Sequence, residues 1–204
     1  MNIQPVYSTF EVLNLTGEVT RDVLTRKVKG VLIECGVAAG SQIAMMQQTQ
    51  LELGQHRIIY GFDSFEGIPY ATEHDAEQPG IGEIDKTKLG ALETTGVSSH
   101  SVETVMYNFN RYGLPTDNLN LIKGWFEDTV EQHAKDIDKI AFLRLDGDLY
   151  RSTKVCMQHL FPKLSKGGVL IIDDYQLSGC AKAVHEFIKP EKVTIKHGVG
   201  YYVK

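Results

Sequence analysis

The sequence predicts an α/β fold with a mostly parallel sheet, a C-terminal antiparallel hairpin and an inserted lid. Three observations lead there. Short apolar runs alternate with longer amphipathic stretches, which is the pattern of βαβ units. Each apolar run is followed by Gly, Asp or both, as strands ending in turns are. The chain has 204 residues, 42% hydrophobic and 23% charged, and a chain of that size buries roughly 70% or more of its unfolded surface without needing staples. One domain over residues 1–204 is expected, with 1–29 as an N-terminal segment and 66–115 as the lid and acceptor region within it.

The strands are expected at 31–35, 58–62, 119–122, 140–145 and 169–172, each short, apolar and closed by a turn residue. Helices are expected between them, at 41–53, 102–112, 153–164 and 180–188. The last carries Ala181, Val184 and Phe187 at helical spacing, a stripe suited to a core. Residues 192–196 and 200–203 flank His197-Gly198, a turn pair for an antiparallel hairpin. The stretch 66–101 is rich in Gly, Glu and Thr, carries Pro69 and Pro79, and lacks clear periodicity. Irregular segments this long inside a compact domain are usually functional, so it is read as a lid over the carboxyl ends of the strands, where open α/β sheets bind ligands.

Charge and cysteine usage exclude several classes. Lys and Arg number 21 against 26 Asp and Glu, a net charge of −5, so nothing advertises a nucleic-acid or anionic-membrane partner. Cys35, Cys156 and Cys180 show no CxxC spacing and sit in apolar runs, which fits buried thiols in a reducing cytoplasm. No basic-then-apolar leader opens the chain, and no apolar run approaches the ~20 residues of a membrane span. A cytoplasmic location is expected.

Three constellations carry chemistry. The first is Glu34-Cys35-Gly36-Val37-Ala38-Ala39-Gly40-Ser41, a strand ending in an acid, a glycine turn and a second glycine opening a helix. It is neither the GxGxxG of dinucleotide binders nor a P-loop. Its glycines give a ligand access to backbone N–H groups, and Glu34 is placed to attract an ammonium, as in the amino-acid end of S-adenosylmethionine. The second is Asp63-Ser64, 23 residues past Gly40, near the ~20-residue offset at which an acid accepts hydrogen bonds from a ribose diol. Trp125-Phe126 follows the third strand, where Trp125 stacks on an adenine ring or packs in the core.

The third joins Asp146-Gly147-Asp148 at the end of one strand to Asp173-Asp174 at the end of the next. Carboxylates this close raise one another's pKa unless a cation offsets them, and Mg²⁺ accepts such an oxygen set. Solvated helix caps are the plainer alternative for these acids.

The same residues resemble a known family. Glu34-Cys35-Gly36, the stretch from Gly61 to Gly67, Leu121 to Thr129, Leu145 to Tyr150 with Ser152-Thr153, and Ile172 to Tyr175 resemble, in this order, the macrocin O-methyltransferases. Those are class I, Rossmann-like enzymes that use S-adenosylmethionine and a metal to methylate sugar hydroxyls of antibiotics. The resemblance implies that Asp146, Asp173 and Asp174 hold Mg²⁺, that Asp148 is the general base, and that Glu34, Gly36, Val37, Gly40, Ser41, Asp63, Ser64, Trp125 and Phe126 surround the methyl donor. It implies a small-molecule acceptor carrying a sugar diol, and a homo-oligomer is expected to help close the site. Two positions depart from the family: Val37-Ala38-Ala39-Gly40-Ser41 replaces a Trp-Arg-Gly-Gly pattern, and Arg151 stands where an acid is common. A catechol-type methyltransferase, a sugar-nucleotide transferase using Asp146-Gly147-Asp148 as a DxD motif, and a non-catalytic binding module stay open as alternatives.

Overall fold

The computed structural model describes residues 3–75 and 87–204; the part of the expected lid at 76–86 lies outside the described residues. The strands are β1 (Val31–Cys35), β2 (Ile59–Asp63), β3 (Leu119–Lys123), β4 (Ile140–Leu145), β5 (Leu164–Ile172), β6 (Thr194–Lys196) and β7 (Val199–Val203). They form one sheet in the order β3-β2-β1-β4-β5-β7-β6. Strands β1 to β5 are parallel, and β7 runs antiparallel to both β5 and β6. The hairpin turn is His197-Gly198 with both φ positive, at 50° and 87°, which matches the strand twist.

The helices are α1 (Phe10–Thr25), α2 (Ser41–Glu52), α3 (Val102–Arg111), α4 (Phe126–Ala134), α5 (Tyr150–His159) and α6 (Ser178–His185). Parallel central strands are covered on both faces, so their residues alternate between two cores. Leu32, Phe142, Val169 and Ile171 pack with α1, α2 and α3; Ile33, Leu143, Leu170 and Ile172 pack with α4, α5 and α6. Each such side chain, fully buried, contributes about 1.5–3 kcal/mol.

Four elements differ clearly from expectation. Helix α5 starts at Tyr150 and ends before Pro162, and Leu164 belongs to β5, which begins five residues earlier than expected. Helices α1 and α4 fall where the sequence pattern predicts none. Thr9 caps α1 by accepting the Val12 N–H at 3.3 Å, and the helix buries Val12, Leu13, Leu15, Val19, Val23 and Leu24. Gly17 lets α1 approach α2, because a Cβ there would lie 3.1 Å from Met45 Sδ.

Sheet register builds the site. Cys35 is level with Phe62 and Leu145, and Leu145 with Ile172. The ladder then continues one step: Gly36 N donates to Phe62 O, Asp146 N to Cys35 O and Asp173 N to Leu145 O, each at 2.8 Å. Gly36, Asp63, Asp146 and Asp173 therefore form a row at the carboxyl edge. The row spans the β1/β4 junction, where strand order reverses and a crevice opens.

Candidate active site

The loop after β1 turns sharply. Gly36 has φ +92°, and a Cβ there would stand 1.7 Å from the Asp146 carbonyl oxygen, so only glycine lets the two strand ends meet. Ala38 holds φ 46°, a conformation that costs an alanine about 1–2 kcal/mol. Asp63 holds this turn: its Oδ2 accepts the N–H groups of Val37 (2.7 Å) and Ala38 (2.9 Å), and its Oδ1 accepts that of Phe65 (2.7 Å). Burial raises the Asp63 carboxyl, and these bonds work against the rise. The residue read as a ribose acceptor is thus also the brace of the glycine loop.

Ser64 Oγ accepts the N–H groups of Glu66 (3.0 Å) and Gly67 (3.1 Å), fixing the turn after β2. Gly40 does not line the cavity. A Cβ there would lie 2.8 Å from Val105 Cγ1 of α3, so this glycine lets two helices pack.

At the far side of the row stands a residue the sequence reading missed. Arg144, in β4, is completely buried. Its Nη1 lies 2.8 Å from Glu34 Oε1 and 2.7 Å from Asp146 Oδ2, and its Nη2 lies 2.5 Å from Asp173 Oδ1. The acids thus already share a cation supplied by the protein. One guanidinium does not offset them all. Burial pushes Glu34 up to about 8 in spite of Arg144, because Asp146 and Asp173 share the same charge. Asp173 rises to about 6 for the same reason.

Among the described residues, Asp146, Asp148 and Asp174 bring one carboxylate oxygen each within 4.8 Å of the others. Asp173 faces Arg144 instead, so this trio differs from the ligand set that the resemblance implies. A metal nevertheless suits the donor set, by the bonding of individual oxygens. Asp146 Oδ2 and Asp173 Oδ1 are tied to Arg144, and Asp174 Oδ2 accepts the Asp148 N–H at 2.8 Å. Each of the three keeps a second oxygen for a ligand, oriented by the bond on the first. Asp148 sits at φ 54°. Burial and the charges of Asp146 and Asp173 push its carboxyl up to about 7.

One cavity joins these parts. It is lined by Glu34, Gly36, Val37, Ser41, Asp63 and Ser64 on the glycine-loop side and by Trp125 and Phe126 at the start of α4. Asp146, Asp148, Asp173 and Asp174 line it on the acid side. Trp125 is half-buried at its wall and belongs to neither of the two hydrophobic cores.

A family model described as macrocin O-methyltransferase matches residues 11–197. The chain belongs to the macrocin O-methyltransferase family. An 8-demethyl-8-(2,3-dimethoxy-α-L-rhamnosyl)-tetracenomycin-C 4′-O-methyltransferase of Streptomyces olivaceus is 38% identical over 81% of this chain and 60% of its own length. A demethyldecarbamoylnovobiocin O-methyltransferase of Streptomyces niveus is 34% identical over 89% of this chain and 68% of its own. The chain thus spans less than two thirds of the Streptomyces olivaceus relative. Among solved structures, the O-methyltransferase NovP aligns with a TM-score of 0.78 at 33% identity, covering 95% of this chain and 79% of that one.

Against other macrocin O-methyltransferases, the departure at Arg151 has a visible consequence. Its Nε lies 3.0 Å from Glu127 Oε1, on the cavity wall, and its Nη1 donates to the Gly90 carbonyl at 2.7 Å. The cation therefore ties α5 to α4 and to the loop at Gly90.

Proposed function

We propose that the protein transfers the methyl group of S-adenosylmethionine to a sugar hydroxyl of a small molecule, with Mg²⁺ assisting. The observation that carries this reading is the single cavity in which an acid-tipped glycine loop and a cluster of oriented carboxylates face each other. Family membership supports the donor, and the rhamnosyl group in the name of the Streptomyces olivaceus relative supports the acceptor class.

Asp146 and Asp174 would hold the metal, with the free oxygen of Asp173 beside them. A bound Mg²⁺ supplies Lewis acidity and a template for two neighbouring hydroxyls. The protein does the rest. Glu34 and the loop N–H groups orient the donor, Trp125 covers it, and the alignment of sulfur, methyl carbon and acceptor oxygen contributes most, since well-oriented reactions gain about 7–11 kcal/mol. The C–S bond breaks as the C–O bond forms, and the hydroxyl proton passes to Asp148. That residue suits a base: its carboxylate takes no hydrogen bond from the described residues, and its pKa of about 7 lies near working pH.

The test is Asp148→Asn. Turnover is expected to fall by at least about 100-fold, while calorimetry still shows binding of Mg²⁺ and S-adenosylhomocysteine. Retained turnover removes Asp148 from the base role. Binding of nucleotide sugars in preference to S-adenosylhomocysteine overturns the reading altogether.

A further inference from the structure

A groove on the opposite edge of the sheet from the active-site cavity gathers cations. It runs past the amino ends of β1, β4 and β5 and encloses about 650 Å³, within the range of small-molecule sites. Seven of its lining residues are Lys or Arg and one, Asp138, is acidic, a surplus of six positive charges in a chain whose net charge is −5. Like charges drawn into one groove repel one another, and a bound anion removes that cost.

Main-chain contacts bring the cations together. A Cβ on Gly30 would stand 2.5 Å from the Lys139 carbonyl, and the next N–H, of Val31, donates to that carbonyl at 3.0 Å, so Lys29 and Lys139 enter their strands side by side. Ser165 Oγ donates to the Lys29 carbonyl at 2.7 Å, which places the start of β5 against the same turn. Lys27 takes the left-handed turn that ends α1, at φ 56°, where glycine is the favoured residue.

The cations differ in what they already hold. Arg26 is paired with Asp22, while Lys163 Nζ donates to the Ile137 carbonyl at 2.7 Å and Lys204 Nζ to that of Pro162 at 3.0 Å, bonds that fix a charge without neutralising it. Lys27, Lys29, Lys139 and Lys166 have no side-chain hydrogen bond or ion pair among the described residues, so four ammonium groups stay free at one groove.

We infer that this groove binds a diphosphate group, through Lys27, Lys29, Lys139 and Lys166. A phosphoryl group carries about −1.5 to −2 in charge and three acceptor oxygens, so a linked pair matches four free ammonium groups. No Phe, Tyr or Trp lines the groove, so nothing there stacks on a base and the phosphates themselves are what is recognised.

The test is calorimetry with inorganic pyrophosphate in Mg²⁺-free buffer, at about 0.15 M salt so that charges beyond about 8 Å are screened. Wild type is expected to bind with a Kd below about 1 mM, and orthophosphate at least about tenfold more weakly, as loss of charge-assisted hydrogen bonds implies. Lys29→Gln/Lys139→Gln is expected to weaken pyrophosphate about tenfold or more, and Lys27→Gln/Lys166→Gln to do the same. Lys135→Gln/Lys189→Gln removes equal charge at exposed positions outside the groove and is expected to stay within about twofold of wild type. All three double variants are expected to keep the wild-type Tm. ADP separates the sources of the diphosphate: binding about tenfold tighter than pyrophosphate, and lost in the groove variants, assigns the site to a nucleotide, whereas equal or weaker binding assigns it to the diphosphate alone. Equal weakening in all three double variants, or orthophosphate binding as tight as pyrophosphate, shows an adventitious ion only and overturns the inference. So does the absence of wild-type binding at millimolar pyrophosphate.

Discussion

Arg144 Nη1 lies 2.8 Å from Glu34 Oε1 at the centre of the sheet, and neither side chain reaches solvent. Because the same guanidinium also holds Asp146 and Asp173, it joins the donor-side acid to the metal-side acids through one rigid planar fork. Removing one partner of a buried charge cluster leaves the others uncompensated, at about 3–5 kcal/mol. Arg144→Met is expected to lose about that much stability in urea denaturation. Arg144→Lys keeps the charge but not the fork, so its loss is expected to fall between Met and wild type. A near-neutral Arg144→Met would show that the acids do not depend on it.

Stability is expected to depend on pH in the direction set by the raised acids. Folding lifts Asp173 to about 6, Asp148 to about 7 and Glu34 to about 8, each chiefly through burial. A carboxyl raised by folding favours its protonated form. Its stabilising contribution is complete below the unfolded pKa near ~4 and is lost as pH rises through the folded value. In chelator, Tm is therefore expected to fall between about pH 5 and pH 8.5. Mg²⁺ is expected to restore more of it at pH 8 than at pH 6, because more of the acids are then ionised. A Tm that rises with pH across this window in chelator contradicts the shifts.

The two glycines Gly36 and Gly54 separate backbone strain from close approach. Both have positive φ, but a Cβ at Gly54 meets nothing within 4 Å, whereas at Gly36 it meets the Asp146 carbonyl. Gly54→Ala is expected to cost about 1–2 kcal/mol, the left-handed penalty alone, with S-adenosylhomocysteine binding unchanged. Gly36→Ala is expected to cost more than that and to weaken donor and Mg²⁺ binding together, since it forces the ends of β1 and β4 apart. Calorimetry on both variants distinguishes the cases.

The strands and acids were legible because each strand is a short apolar run stopped by a polar residue, and sheet register then aligns those stops into one row. Helix α4 was less legible: Phe126, Val130 and Ala134 form a single narrow stripe in an otherwise polar run. Helix α1 breaks its stripe with Thr16, Gly17 and Thr20, residues of modest helix propensity that the tertiary contact with α2 overrides. Arg144 was present as a signal, a lone cation inside an apolar strand, and such a residue must be paired if buried. Its partners come from β1 and from the ends of β4 and β5, so only the strand order reveals them.

Asp75 acts on the acid loop from a distance. Leu149 gives α5 no side-chain cap, and the orphan N–H of Tyr150 is instead accepted by Asp75 Oδ1 at 2.8 Å. The other oxygen, Oδ2, accepts from Thr72 N (3.0 Å) and Thr72 Oγ1 (2.8 Å), so the carboxylate is satisfied on both sides while almost wholly buried. Asp75→Ala is expected to cost about 1–2 kcal/mol, as loss of a cap does. Tyr150 follows Asp148 by two residues, so the base is expected to lose its fixed position. The donor loop on β1 is anchored by Asp63 and makes no use of Asp75. A fall in kcat with an unchanged Kd for S-adenosylhomocysteine is therefore expected, and a parallel loss of donor affinity would mean that Asp75 supports the whole crevice rather than the acid loop.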